Sequence, residues 1–129
     1  MAAASAPAPR VYEVHARSTD VFGRVLCDAR DQHFVADGPV HNGCPGEALT
    51  PAELFLAGVA ACGVELLGVL AREQQLPLGA ARVMLQGTND PAHPVRPDVN
   101  LFNSVRLTVT LGGVSQEQGQ ALLAAFQRR

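Results

Sequence analysis

The feature that most constrains this chain is a run of eighteen residues, 54–71, in which Glu65 is the sole charged side chain. Thr50-Pro51-Ala52-Glu53 stands directly before it. A hydroxyl, a proline suited to the first helical position and a carboxylate three residues after the hydroxyl form a capping box, so a helix starts there. Thr50 and Glu53 are accordingly assigned to the helix cap and its support. No polar stripe of period 3.6 interrupts the run, so the helix is apolar nearly all round and is expected to be buried. Its length approaches that of a membrane span. Its Ala, Gly and Val content, its central Glu65 and its amphipathic neighbours instead favour the buried central helix of a soluble protein, with no membrane partner.

Around this helix the pattern is mixed. Residues 11–18 and 21–28 alternate as strands, with Ser18-Thr19-Asp20 as the turn of a hairpin, and residues 33–36 add a short third strand. Residues 37–49 hold three glycines and two prolines and form a long loop. Beyond the helix, Pro77 prevents its continuation. Strands follow at 81–88 and 101–111, joined by a loop over 89–100; Gly112-Gly113 turns the chain, and Ser115 caps a last helix over 117–129. The order βββ–α–ββ–α is that of an α+β fold. Residues 1–9, rich in Ala and Pro, are expected to be a disordered tail before a single domain over 10–129.

Composition narrows the function. At 129 residues there is no room for a cofactor domain beside a catalytic one, and no cofactor is expected. The net charge is −2, with no basic stripe, which excludes a general nucleic-acid binder. All ten basic residues are arginines, a mark of a GC-rich genome. No secretory leader precedes the three cysteines, which form no CxxC pair, so the expected location is a reducing cytoplasm. Scattered cysteines and histidines do not make a metal site, and none is expected.

Cys62 lies about 18 Å along the helix, too far from its N-terminus for the helix dipole to activate the thiol. Gly58, one turn earlier, and Gly63 beside it leave openings through which a substrate could reach the sulfur. Against this stands the ordinary use of cysteine as a small buried hydrophobe. Glu65 lies three residues on, along the same face, and by itself would raise the thiol pKa. A reactive Cys62 therefore requires an arginine nearby. Arg17 and Arg24, on the N-terminal strands, are both candidates.

The segment LTPAELFLAGVAACGVELLGVLAREQQLPL, residues 49–78, resembles the central helix of the OsmC/Ohr family of thiol-dependent hydroperoxide reductases. That family carries a Gly-rich loop, then a (T/S/N)P-x-E-L motif, then A-x-x-C. The N-terminal sheet, the His93-Pro94 loop, the long strand and the helix near 112–121 follow the same order. The resemblance implies an intertwined homodimer, with the central helices packed together and active sites between subunits. It implies that Cys62 is the peroxidatic thiol, supported by an arginine and a glutamate. Its partners would be a hydroperoxide substrate and an external thiol or dithiol reductant, in a bacterial response to oxidative stress.

Departures from the family shape the expectation. The chain reaches Gln127-Arg128-Arg129 where the family continues into a C-P motif holding the resolving cysteine. Ala52 occupies the position of the glutamate in the hydroperoxide-resistance branch, while Glu53 fits the PxEL variant. Cys44, in the Gly/Pro loop, is either a substitute resolving thiol or an idle loop residue; Cys27 is expected to pack on its strand. Three functions follow: a one-cysteine peroxidase, a catalytically degenerate protein binding a hydrophobic ligand at the dimer seam, and a redox sensor using Cys62 and Cys44.

Overall fold

The computed structural model describes residues 4–129. They form two compact units, one reaching to Pro51 and one spanning Ala52–Arg129. Of the expected N-terminal tail, residues 1–3 lie outside the described residues; residues 4–14 are exposed and belong to no strand or helix.

The first unit is a three-stranded antiparallel sheet: β1 (His15–Ser18), β2 (Arg24–Ala29) and β3 (Gln32–Asp37), with β2 central. Ala16 and Phe34 flank Cys27 across the ladder, and Arg24 stands opposite Asp37. β1 begins four residues later than its alternation indicates, and the β1–β2 connection is longer than a three-residue turn. The Thr19 hydroxyl accepts the Val21 N–H at 3.1 Å and donates to the Arg24 carbonyl at 3.0 Å. Gly23, at φ +80°, then takes a conformation that side chains with a Cβ rarely adopt. Those bonds hold residues 19–23 as a loop rather than strand. β2 and β3 are joined directly through Arg30-Asp31.

The second unit contains α1 (Pro51–Glu73), the antiparallel pair β4 (Ala80–Thr88) and β5 (Ser104–Gly112), and α2 (Gln116–Phe126). α1 starts at Pro51, as the capping motif requires. It stops where Gln75 enters the left-handed region at φ 55°. The Leu76 N–H then reaches the Ala71 carbonyl at 2.8 Å and the Gln75 N–H reaches that of Arg72 at 3.2 Å, the paired bonds of a Schellman ending. α2 opens on a full capping box: the Ser115 hydroxyl accepts the Gln118 N–H, and the Gln118 side chain accepts the Ser115 N–H.

One face of α1 packs on this unit. Leu67, Leu70 and Ala71 join Leu122 and Ala125 of α2 in the core, covered by Ala81 and Val83 of β4 and Val109 and Leu111 of β5. Leu67 and Leu122 are fully buried, each contributing roughly 2–3 kcal/mol of apolar transfer. The helix is not buried all round, as its apolar character had implied. The chain covers the stripe Ala60, Gly63, Leu67 and Leu70, while Phe55, Gly58, Cys62, Glu65 and Val69 on another stripe are exposed. β4, β5 and α2 pack against one stripe of the helix and leave the other uncovered.

Candidate functional site

Both stripes advance by alternating steps of three and four residues, so neighbours in sequence look in different directions. Gly63 is buried against Val83 and Phe126, and a Cβ at this position would meet both at ordinary van der Waals distances. Cys62, one residue earlier, is exposed. Its thiol belongs to an open groove of about 540 Å³. Leu54, Phe55, Val59 and Leu66 of α1 form one side of that groove; Leu107 of β5 and Phe126 of α2 contribute the rest. At Gly58 a side chain would meet nothing within 4 Å, so the turn before Cys62 is open to a ligand. The lining is apolar apart from the thiol itself. Such a groove takes the hydrocarbon part of a ligand and leaves a single reactive atom at its surface.

Glu65 shares the exposed stripe with Cys62 and makes no ion pair among the described residues. Thr50 directly precedes α1, and Glu53 is the acidic residue of its first turn.

The two arginine candidates differ sharply. The Arg24 guanidinium clasps Asp37 through Nε–Oδ1 at 2.8 Å and Nη2–Oδ2 at 2.9 Å, and reaches Glu47 at 2.9 Å. Asp37 is entirely buried, and its carboxylate also accepts the backbone N–H groups of Glu47 and Ala48, each at 2.9 Å. The Arg24 guanidinium, joined by the Ala48 and Glu47 N–H groups, holds the Asp37 carboxyl far below the usual carboxylate range, against the opposing effect of burial. Asp37 and then Glu47 raise Arg24 in return. Arg17, opposite Leu26 on β1, is exposed and has no ion pair among the described residues.

Cys44 is not loose in its loop. A Cβ at Gly23 would stand 2.6 Å from the Cys44 Cβ, and one at Gly38 would stand 2.9 Å from it, so the cysteine fills the space that both glycines leave. Its thiol makes a weak contact with the Asn42 carbonyl at 3.9 Å, and the Gly38 N–H bonds the Gly23 carbonyl at 2.8 Å. Cys27 is buried on β2. Cys62 is thus the exposed thiol of the three. Among the described residues no three His, Cys, Asp or Glu side chains converge on a metal position.

Sequence reasoning missed the Arg24–Asp37 clasp. A carboxylate ending the apolar strand QHFVAD was the available signal, since a buried acid needs a cation. It also missed the stacked rings of Phe55 and Phe102, whose centroids lie 6.4 Å apart. Phe102 sits in what the pattern reads as a strand, and nothing in the sequence pairs it with the helix.

The family model described as OsmC-like protein matches residues 44–129, two thirds of the chain. No curated protein sequence matches significantly. Among solved structures, the OsmC-like protein from Mycoplasma pneumoniae superposes with a TM-score of 0.79 at 14% identity, over 93% of this chain and 82% of that one. An organic hydroperoxide resistance protein OsmC from Legionella pneumophila gives 0.73 at 22% identity, over 95% and 85%. The organic hydroperoxide resistance protein OhrB of Bacillus subtilis gives 0.60 at 24% identity, over 92% and 84%. With the order of its elements and the match over α1 and all that follows it, the chain belongs to the OsmC family.

Proposed function

We propose that this protein is a cytoplasmic thiol-dependent peroxidase, a single OsmC-like domain over residues 10–129 that reduces organic hydroperoxides with Cys62. The observation that carries this reading is the exposed Cys62 thiol at an apolar groove beside the open position of Gly58. The thiolate attacks the terminal oxygen of the hydroperoxide; an S–O bond forms, the O–O bond breaks, and the alcohol leaves after taking a proton. Cys62 becomes a sulfenic acid. One external thiol condenses with it, releasing water, and a second displaces Cys62 from the mixed disulfide, regenerating the thiol. An external reductant is favoured because Cys44 is packed between two glycines and Cys27 is buried. Of the two candidate arginines, Arg24 already serves Asp37 and Glu47, which leaves Arg17 the freer guanidinium.

The active form is a homodimer. The exposed stripe of α1 is largely apolar, and Phe55, Val59 and Val69 each keep more than a third of their surface in water. A second copy laid on this face removes that surface from solvent, and a permanent interface of this kind buries above about 2,000 Å². Sedimentation at micromolar concentration is expected to give a dimer; a stable monomer contradicts this.

Cumene hydroperoxide added in equimolar amount, followed by dimedone, is expected to place one adduct on Cys62. A protein that remains a dimer while Cys62 stays inert would instead fit the second reading, a degenerate protein that binds a hydrophobic ligand. The groove lining, apolar apart from the thiol, is the observation in favour of that alternative.

A further inference from the structure

Phe102 lies outside the groove, yet the structure ties it to the groove wall. Its ring stacks on that of Phe55, with centroids 6.4 Å apart and planes inclined by 28°. Phe55 lines the groove and is 63% exposed within one chain, so little else in that chain restrains its side chain. Offset stacking at this separation is the favourable geometry for two aromatic rings.

Phe102 is itself fixed from below and from both sides. Below it, Gly87 of β4 leaves the space the ring occupies: a Cβ there would stand 2.8 Å from the Phe102 Cε1 and 3.1 Å from the Leu56 Cδ1. On one side, the Asn103 N–H bonds the Thr88 carbonyl at 2.7 Å. The Asn103 side chain accepts the Asp90 N–H and donates to the His93 carbonyl, both at 2.6 Å. On the other side, the Asn89 amide donates to the Asn100 side chain at 2.7 Å and to the Leu101 carbonyl at 3.1 Å. The asparagines clasp the ends of the loop and present one aromatic ring to α1.

We infer that Phe102, seated over Gly87 and stacked on Phe55, is a positioning residue that fixes one wall of the Cys62 groove and sets the enzyme's preference for hydroperoxides with bulky apolar groups. The inference rests on Cys62 being the peroxide-reducing thiol. A small peroxide reaches the sulfur without touching the wall, whereas a cumyl group is held by it. Loss of the stack therefore changes binding of the large substrate and leaves the chemical step alone.

The test is steady-state turnover of the full chain with cumene hydroperoxide and with hydrogen peroxide, each expressed as kcat/KM. Phe102→Ala is expected to lower the ratio of the two by roughly three- to tenfold, through the KM for cumene hydroperoxide, with kcat unchanged. Phe102→Tyr, which keeps the ring, restores the ratio. In a Phe55→Ala background, Phe102→Ala has no further effect, because Phe102 acts through Phe55. Should Phe102→Ala not fold, Gly87→Ala displaces the ring from its seat and is expected to lower the same ratio. An unchanged ratio in an active variant, or additive effects of the two alanines, overturns the inference and leaves the peroxidase reading intact. A wild-type chain that consumes neither peroxide overturns both.

Discussion

Arg24 and Asp37 face each other across β2 and β3, joined by two parallel hydrogen bonds of 2.8 and 2.9 Å around a carboxylate that water does not reach. Two backbone N–H groups from the loop before α1 complete the set of donors. A buried carboxylate held in this way fastens that loop to the sheet, and its loss leaves a cation and two N–H groups without their acceptor.

Asp37→Asn is expected to lower the melting temperature more than Glu47→Gln does, because Glu47 is exposed and its bond to Arg24 is screened. The pH dependence has a definite sign. The Asp37 carboxyl is depressed below its ordinary value of 3.8, so its contribution is complete well above that value. It is lost as pH falls below 3.8 toward the lower value of the folded state. Arg24 is raised and stays charged in both states over this range, so it adds no slope. Melting curves from about pH 6 to about pH 2 should fall more steeply for the wild type than for Asp37→Asn. Parallel curves would contradict the assignment.

The three thiols should differ in access. Brief alkylation of the native protein followed by mass spectrometry is expected to label Cys62 first, then half-buried Cys44, and Cys27 last. Cys62→Ser should abolish peroxide consumption while changing the melting temperature by less than a few degrees, since an exposed side chain carries little packing energy. Labelling of all three at one rate would show that the sheet opens on the timescale of the reaction.

Gly38→Ala places a methyl group against Cys44 and is expected to cost about 1–3 kcal/mol in denaturant unfolding. Cys44→Ala in the same chain removes the sulfur from that space and leaves only the Cβ contact at 2.9 Å, so the double variant should recover part of that loss. An additive result would mean that Gly38 is required for its backbone and not for the space it leaves.

Gln75 closes α1 in the left-handed region, where glycine is the usual residue. Gln75→Gly is expected to stabilise the protein by a few tenths to about 1 kcal/mol, seen as a higher urea midpoint at unchanged slope. A lower midpoint would show that the Gln75 side chain has a role the backbone does not reveal.

Much of the fold was legible in the sequence because it rests on local signals. The proline and acid at 51–53 start α1, Pro77 follows its end, and Ser115 with Gln118 opens α2. Alternation over β4 places Ala81, Val83 and Leu85 on its more buried face, as period two requires. What the sequence could not give is relations set by register and packing. Arg24 meets Asp37 because a ladder aligns residues thirteen apart, and Phe102 meets Phe55 across nearly fifty positions. The helix itself was ambiguous, because a segment that is apolar all round does not say which stripe its own chain covers.

That helix carries two interleaved scripts. A saturation mutagenesis scan along α1, scored separately for melting temperature and for peroxide turnover, should resolve into two sinusoids of the same period and different phase. Positions 60, 63, 67 and 70 would carry the stability signal, and 55, 58, 62 and 65 the functional one. Drift along the exposed script would leave the core within each chain intact, so relatives sharing this helix could exchange chemistry along one edge without rebuilding the core behind it.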